Sequence, residues 1–379
     1  MTVLRSRSRQ AGEHSEAQSL SAVLSDRAGP DDGKMRLGAF ELWGRQAARP
    51  RLQMQVCGAA PGEFVKFRAA EPTLGVASGE PWPASGRSVQ AVQDVDGPSH
   101  HGERMSVLRR NNVRVLGGSG PIIVYAHGFG CSSRMWERIT PAFAATHRQV
   151  LFDFVGSGGS DTSAFDVARY STLQGYAQDL IEVLDTLSLD GDVTFIGHSL
   201  SASIGLLASI VRPALFDRLI LLGPSPCFLN HPPAYLGGFE RADLEQLLNL
   251  MDLNFIGWAN YLAPIVAGAS GGDVIATEFV ESFCTTDPST ARIFAEATFF
   301  ADNRADLPRV TRPSLILQHG HDALAPLTVG QYLHEHLRES ELRVLDVTGH
   351  SAHISNPELV IDAMRAYMHT HRCIDVLAA

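Results

Sequence analysis

The chain has 379 residues, and its content of 45% hydrophobic and 19% charged residues is typical of a globular protein that buries a core. The formal net charge of −10 argues against a nucleic-acid partner, because proteins that bind phosphate backbones carry a basic surface. No apolar run approaches the roughly 18 residues of a membrane span, and the five scattered cysteines include no C-x-x-C pair. We therefore expect no membrane partner, no metal and no cofactor.

The N-terminal stretch 1–104 differs in composition from the rest of the chain. It is rich in Gly, Pro, Ser, Arg and Gln, and its apolar pieces, such as Leu37–Trp43 and Phe64–Phe67, are short. This composition predicts a disordered N-terminal extension, or a misplaced start upstream of the true one at Met105. The basic N-terminus has no apolar segment of the kind found in secretory signals, so we expect a cytoplasmic protein.

From Met105 onward, apolar runs of strand length alternate with segments of helical spacing such as Leu173–Leu187, Ala202–Ile210 and Pro357–Met368. The strand-like runs are 111–118, 121–127, 148–154, 192–198, 218–224, 313–319 and 342–348. This alternation predicts an α/β fold over residues 105–379, with a mostly parallel sheet flanked by helices. The stretch at about 226–309 has no convincing buried strand and is helical and rich in aromatic residues, which predicts an inserted helical lid.

The segment VTFIGHSLSAS, residues 193–203, runs from a predicted strand through Gly-His-Ser into a predicted helix. It nearly spells G-x-S-x-G, the turn that exposes a nucleophilic serine at the carboxyl end of a sheet, with Ser201 at the place of the last glycine. We therefore predict that Ser199 is a nucleophile, and that the small Ser201 side chain fits the turn. The alternative is that Ser199 caps the helix, because serine is a favoured N-cap residue.

A serine nucleophile needs a base, and the base needs a third group that orients it. In the chain order Ser, acid, His, Asp322 follows a buried-type run and His350 follows the last predicted strand. Asp346 is a rival acid, but it lies within a predicted strand. His353 is a rival base, which we expect to face the following helix or solvent.

Two backbone amides are candidates for an oxyanion hole, the donor set that stabilises a developing negative charge. Leu200 directly follows the predicted nucleophile, and Phe129 lies in the glycine-rich stretch HGFG after an earlier strand. We expect His127 and His198 to be packed structural histidines.

Aromatic side chains of the predicted lid are candidates for a substrate-binding surface, although packing in the core is the commoner fate of such residues. The candidates, together with Phe129, are Phe255, Trp258, Phe283, Phe299 and Phe300.

Longer motifs support the same chemistry. FDFVGSGGSD, YAQDL, GHS, GPSPCFLNHPP, GGFE, NFIGWA, FCTTDP, SLILQ and a closing GH-x-x-H lie in that order along the chain. Over roughly residues 106–370 the sequence resembles the RsbQ-like α/β-hydrolases, a branch of energy-stress regulators to which the plant karrikin and strigolactone receptors are similar.

The resemblance implies an eight-stranded sheet, a helical lid over a small, closed, apolar pocket, and a catalytic triad of Ser199, Asp322 and His350. Ser201 departs from the family, which ordinarily has glycine there. We expect a serine hydrolase that acts on a small apolar ester or lactone and has a role in stress signalling. The alternative is a small-molecule receptor or regulatory module with slow or secondary hydrolysis. Its partner would be a protein such as a PAS-domain phosphatase or another sensor.

Overall fold

The computed structural model describes residues 106–268 and 274–377, with side chains described as far as residue 370. The predictions made for residues 1–104 lie outside the described residues. None of the helices in the described part is long and apolar enough to cross a membrane.

A sheet of seven strands forms the centre of the described chain. The strands are β1 (Arg114–Leu116), β2 (Ile122–Ala126), β3 (Arg148–Leu151), β4 (Val193–His198), β5 (Phe216–Leu222), β6 (Ser314–His321) and β7 (Ser340–Thr348). Their order is β1-β3-β2-β4-β5-β6-β7; β1 is antiparallel to β3 and every other pair is parallel. The resemblance implied eight strands, whereas the described residues form seven, with β1 at the edge of the sheet beside β3.

Helices lie before and between the strands. The α-helices are α1 (106–110), α2 (Val167–Tyr170), α3 (Leu173–Thr186), α4 (Leu200–Val211), α5 (Arg241–Leu253), α6 (Phe255–Ala267), α7 (Val274–Cys284), α8 (Pro288–Phe299), α9 (Leu327–His336), α10 (Ala352–Ser355) and α11 (Pro357–Leu377). Short 3-10 helices span Ser133–Trp136, Thr140–Phe143, Thr162–Ala164, Pro213–Leu215 and Arg304–Arg309.

Both faces of the sheet are covered, which explains why its central strands read as continuous apolar runs. All six residues of β4 are buried. On one face, sheet residues such as Ile196 and Ile220 share a core cluster with Trp136, Met364 and Tyr367. On the other face α4 packs against β4 and α3 packs against α4. Packing on both faces fixes the position of each strand, and therefore the position of the turn that follows it.

The described part of the segment between β5 and β6 contains four α-helices, α5 to α8. We call these four helices the insertion. Side-chain caps mark where three of these helices begin: Glu240 and Asp243 form a capping box at α5, Asn254 caps α6 and Asp287 caps α8. No strand of the sheet lies in the described part of 226–309. The chain therefore leaves the sheet after β5 and returns to it at β6, next to β5.

Candidate active site

Ser199 occupies the sharp turn between β4 and α4. Its backbone has φ 58° and ψ −123°, a conformation that costs a residue with a side chain about 1–3 kcal/mol. The turn is tight because strand and helix almost touch: a Cβ at Gly197 would lie 2.6 Å from the backbone of Ser201. The Ser199 amide donates to the Leu222 carbonyl at 2.8 Å. The Ser199 side chain makes no capping hydrogen bond to α4, which disfavours the N-cap alternative.

The Ser199 hydroxyl is the first member of a chain of hydrogen bonds. Its Oγ lies 2.7 Å from Nε2 of His350, and Nδ1 of His350 lies 2.7 Å from Oδ2 of Asp322. The other carboxylate oxygen of Asp322 accepts the Leu324 and Ala325 amides at 2.8 and 3.1 Å. Because an ionised carboxylate can only accept, His350 carries its proton on Nδ1 and presents a bare Nε2 to the serine. The three side chains chosen from the sequence are therefore brought together.

The environment of Asp322 keeps its carboxyl ionised. Burial by itself would raise the pKa of this group, but the electrostatic attraction of His350 and the hydrogen bonds from His319 and His350 outweigh burial. The pKa of Asp322 consequently lies well below its usual range. Sequence reasoning missed His319, whose Nδ1 lies 3.2 Å from the same oxygen.

Ser201 does more than replace a glycine. Its buried hydroxyl donates to the backbone carbonyl of His127, on the strand-end loop across from α4. His127 is itself anchored, because Nε2 accepts the Phe154 amide at 3.1 Å and Nδ1 contacts the Gly128 carbonyl at 2.9 Å. His127 is thus the packed, hydrogen-bonded residue expected from the sequence, and Ser201 ties its loop to the helix of the nucleophile.

The predicted oxyanion donors flank this connection. Leu200 is the first residue of α4, where amides have no intrahelical partner. Within the turns and loops of the described residues, the Phe129 amide donates to no backbone carbonyl. Gly130 has φ +66°, and a Cβ there would lie 2.3 Å from the Phe283 ring, so the loop needs glycine at this position.

The two rival residues occupy different environments. Asp346 lies on β7 with an exposed side chain. His353 does not face solvent as one alternative had it: it is fully buried, and its ring centroid lies 4.7 Å from Trp136 and 4.5 Å from His198. Burial, with the neighbouring histidines second, holds the pKa values of His198 and His353 well below the usual range. His198 is packed and hydrogen-bonded as expected, with Nε2 lying 2.8 Å from the His350 carbonyl oxygen.

Aromatic rings gather around the half-buried Phe129. Trp258 contacts Phe129 at a centroid distance of 5.9 Å, stacks on Phe255 at 5.4 Å and lies 5.3 Å from Phe283. Of the substrate-binding candidates taken from the sequence, Phe255, Trp258 and Phe283 thus form one cluster with Phe129. Phe129 is also contacted by Phe294 at 5.5 Å, which the sequence did not single out, and by Phe299 at 5.8 Å. Phe300 instead lies beneath the Arg241 guanidinium.

One cluster of possible metal ligands in the described residues lies outside this site. Cys227 Sγ lies 3.6 Å from Nε2 of His231, which is 4.0 Å from Oδ2 of Asp302. Both oxygens of Asp302 accept hydrogen bonds from the Arg304 guanidinium, at 2.8 and 2.6 Å. The carboxylate is thereby neutralised by a cation at its side, which makes this a poor metal site. The other cluster of ligand type is Asp322 with its two histidine donors.

Known proteins resemble this chain in sequence. A sequence model described as the alpha/beta hydrolase family matches residues 123–363. The chain is 40% identical over 260 residues to a probable esterase of Oryza sativa subsp. japonica, covering 68% of this chain and 95% of that protein. It is 36% identical to "Karrikin insensitive 2 receptor CA" of Petunia hybrida, covering 69% of this chain and 97% of that protein.

A solved structure is similar at the level of both fold and sequence. The hydrolase olei00960 from Oleispira antarctica superposes with a TM-score of 0.69 at 44% identity, covering 70% of this chain and 97% of that one. The similarity therefore extends over nearly the whole length of each of these proteins, and over about two thirds of this one.

Proposed function

Because the chain belongs to the alpha/beta hydrolase family, we propose that it is a serine hydrolase that cleaves a small apolar ester or lactone. The observation that carries the proposal is the unbroken hydrogen-bond chain from Ser199 through His350 to Asp322, built at a strained turn at the carboxyl end of β4. Strain at a residue with positive φ is typical of functional sites.

In the proposed mechanism, Ser199 Oγ attacks the substrate carbonyl while Nε2 of His350 takes the hydroxyl proton. Asp322 holds Nδ1 of His350 and stabilises the imidazolium that forms. In this mechanism the amides of Phe129 and Leu200 donate to the oxyanion of the tetrahedral intermediate. His350 then gives its proton to the leaving alkoxide, and a water molecule, activated by His350, releases the acyl group from Ser199.

The surroundings of the nucleophile favour an apolar substrate. Phe129, whose amide is a proposed oxyanion donor, carries its ring into the cluster of insertion aromatics. Ligand sites are commonly lined by such rings with a few polar groups that fix orientation. A small ester or lactone with an apolar body fits that pattern better than a charged substrate, which would lose its hydration against the rings.

A second function is favoured by the relative from Petunia that is named as a receptor, and by exposed apolar side chains on the insertion, Leu253, Ile256 and Val274. In this alternative the protein binds or slowly hydrolyses a small molecule and then docks a partner, as the RsbQ-like resemblance suggests for a cytoplasmic stress regulator. This alternative is tested by co-elution of the purified protein with a PAS-domain phosphatase or another sensor encoded beside its gene. Co-elution that increases when ligand is added would support it.

Hydrolysis of nitrophenyl acetate by the purified protein and its Ser199→Ala variant tests the main proposal. We expect the substitution to lower the rate by at least about a thousandfold, because the members of a triad act as a unit. Ser203→Ala is the matched control, since Ser203 is another buried serine of α4, whose hydroxyl donates to the Ser225 carbonyl instead. Equal rates for the wild-type and Ser199→Ala proteins would overturn the assignment of the nucleophile.

A further inference from the structure

Asp322 is bonded by more groups than the proposed triad requires. Its Oδ2 faces two imidazoles, Nδ1 of His350 at 2.7 Å and Nδ1 of His319 at 3.2 Å. Its Oδ1 accepts the two backbone amides of Leu324 and Ala325. Since the ionised carboxylate has no proton to give, His319 must carry its own proton on Nδ1 to make this contact. His319 is therefore a second donor to the oxygen that orients His350.

The contact with Asp322 is the hydrogen bond that accounts for a buried imidazole at position 319. The residue is fully buried on β6, after the apolar run SLILQ, and its Nε2 has no hydrogen-bond partner among the described residues. Burying a polar ring with one nitrogen unsatisfied is unfavourable, and an apolar residue would fill the space without that cost. The charge-assisted hydrogen bond to Asp322 is the interaction that offsets it.

The backbone also makes room for the two rings side by side. Gly223 has φ +55°, and a Cβ there would lie 3.1 Å from Cε1 of His319 and 3.4 Å from Cε1 of His350. Both imidazoles therefore pack over the same open glycine, next to the carboxylate that they share. A side chain at Gly223 would crowd both rings at once.

We propose that His319 is a positioning residue of the hydrolase site, which fixes the Asp322 carboxylate in the orientation that His350 needs. This inference rests on the proposed function. When His350 takes the proton of Ser199, the imidazolium needs an ionised and aligned carboxylate at Nδ1. The hydrogen bond from His319 holds Oδ2 in place for that step and favours its ionised state.

Removing this donor changes the pH dependence in a defined direction. The titratable groups that face His319 are Asp322, His350, His198 and His353. Without His319, the negative charge of Asp322 acts on one imidazole instead of two, so its attraction to the imidazolium form of His350 is stronger. Because hydrolysis needs a neutral His350, the acid limb of the rate profile moves to higher pH.

The test compares three substitutions at this position. His319→Ala is expected to lower the rate at which Ser199 is labelled about tenfold, the effect of losing a hydrogen bond to a charged group. His319→Asn places an amide N–H near the position of Nδ1 and is expected to recover most of the rate and the wild-type acid limb. His319→Gln places its amide one atom further along and is expected to behave like the alanine variant.

The readout is the rate at which a fluorophosphonate labels Ser199 as a function of pH, followed by intact mass. It measures nucleophilicity without knowledge of the natural substrate. His353→Asn is the matched control, because His353 is a buried histidine of the same cluster with no hydrogen-bond partner among the described residues. We expect that control to alter stability and to leave the acid limb in place.

Two failures are distinguishable. An unlabelled Ser199 in the wild-type protein would overturn the proposed function itself. If Ser199 is labelled in the wild type and the asparagine and glutamine variants both have the wild-type acid limb, then His319 only packs in the core. That result would overturn the inference. Because the asparagine–glutamine pair carries this comparison, it stands even where the alanine variant does not fold.

Discussion

The carboxyl end of the sheet and the insertion position their side chains in different ways. At the sheet, Ser199, Asp322 and His350 follow the ends of β4, β6 and β7, and backbone turns place them. In the insertion, Trp258 and its neighbours are held by ring packing between α6, α7 and the Phe129 loop. Turn geometry depends on a few adjacent residues, whereas ring packing depends on partners far apart in the chain. The first region is therefore specified locally and the second is not.

Removing the central ring of the insertion tests its dependence on packing. Trp258 is 1% exposed, and we expect Trp258→Ala to lower the free energy of unfolding by about 3–5 kcal/mol, with a loss of ester hydrolysis as the Phe129 loop loses its support. Ile256→Ala is the control on the same helix, since that side chain is 64% exposed and should change stability by less than about 0.5 kcal/mol. Denaturant unfolding measures both, and equal effects would contradict the packing argument.

Filling the turn tests the region that depends on backbone geometry. Gly197→Ala places a methyl group 2.6 Å from the Ser201 backbone, so we expect a stability loss of about 1–3 kcal/mol and a fall in hydrolysis as Ser199 is displaced. Gly118→Ala is the matched control, because an added Cβ there meets no atom within 4 Å. Thermal unfolding and the ester assay should separate the two variants. If Gly197→Ala behaves like the control, the turn is not the tight crossing described above.

Stability should depend on pH through Asp322. Its pKa in the folded protein lies below the value of about 4 found in an unfolded chain, so the carboxylate stabilises the fold fully above that value. This contribution is lost as the pH falls through the folded-state pKa. We therefore expect the difference in free energy of unfolding between wild type and Asp322→Asn to shrink as pH falls below about 4. A difference that stays constant from neutral to acid pH would contradict the ionised, hydrogen-bonded carboxylate.

The smallest expected effect on stability and hydrolysis is at Ser201, which stands where the family ordinarily has glycine. Ser201→Gly loses the hydrogen bond to the His127 carbonyl, so we expect about 1 kcal/mol lower stability, with hydrolysis within a few-fold of wild type. Ser201→Ala separates the lost hydroxyl from the added backbone freedom of glycine. A collapse of the rate comparable with that of Ser199→Ala, with the circular dichroism spectrum unchanged, would give Ser201 a role in the chemistry.

The same contrast explains what could be predicted from sequence. The runs 192–198 and 218–224 overlap β4 and β5 closely, because strands buried on both faces are apolar over most of their length. The residues of the hydrogen-bond chain followed from the strand-turn-helix signal and the order of the acid and the base. Asp346 could be set aside because it lies within a strand.

Most of what was missed depends on contacts across the fold, and His319, three residues before Asp322, is the exception. His319 reads as one residue of an apolar strand until the turn after β6 brings Asp322 back to it. Phe294 lies on α8 with no local mark to separate it from a core residue, and its contact with Phe129 joins the insertion to the sheet. The burial of His353 against Trp136 likewise depends on a 3-10 helix far away in the chain. The eighth strand was implied by the family resemblance alone.

The most direct test of the central claim is to trap the acyl-enzyme. The protein is mixed with nitrophenyl acetate, quenched in acid during turnover, digested and mapped by tandem mass spectrometry. We predict an acetyl group on Ser199 in the wild-type protein and in Ser203→Ala, and none on that peptide in Ser199→Ala. Continued turnover in Ser199→Ala, or an acetyl group that maps to another residue in the wild type, would contradict the account.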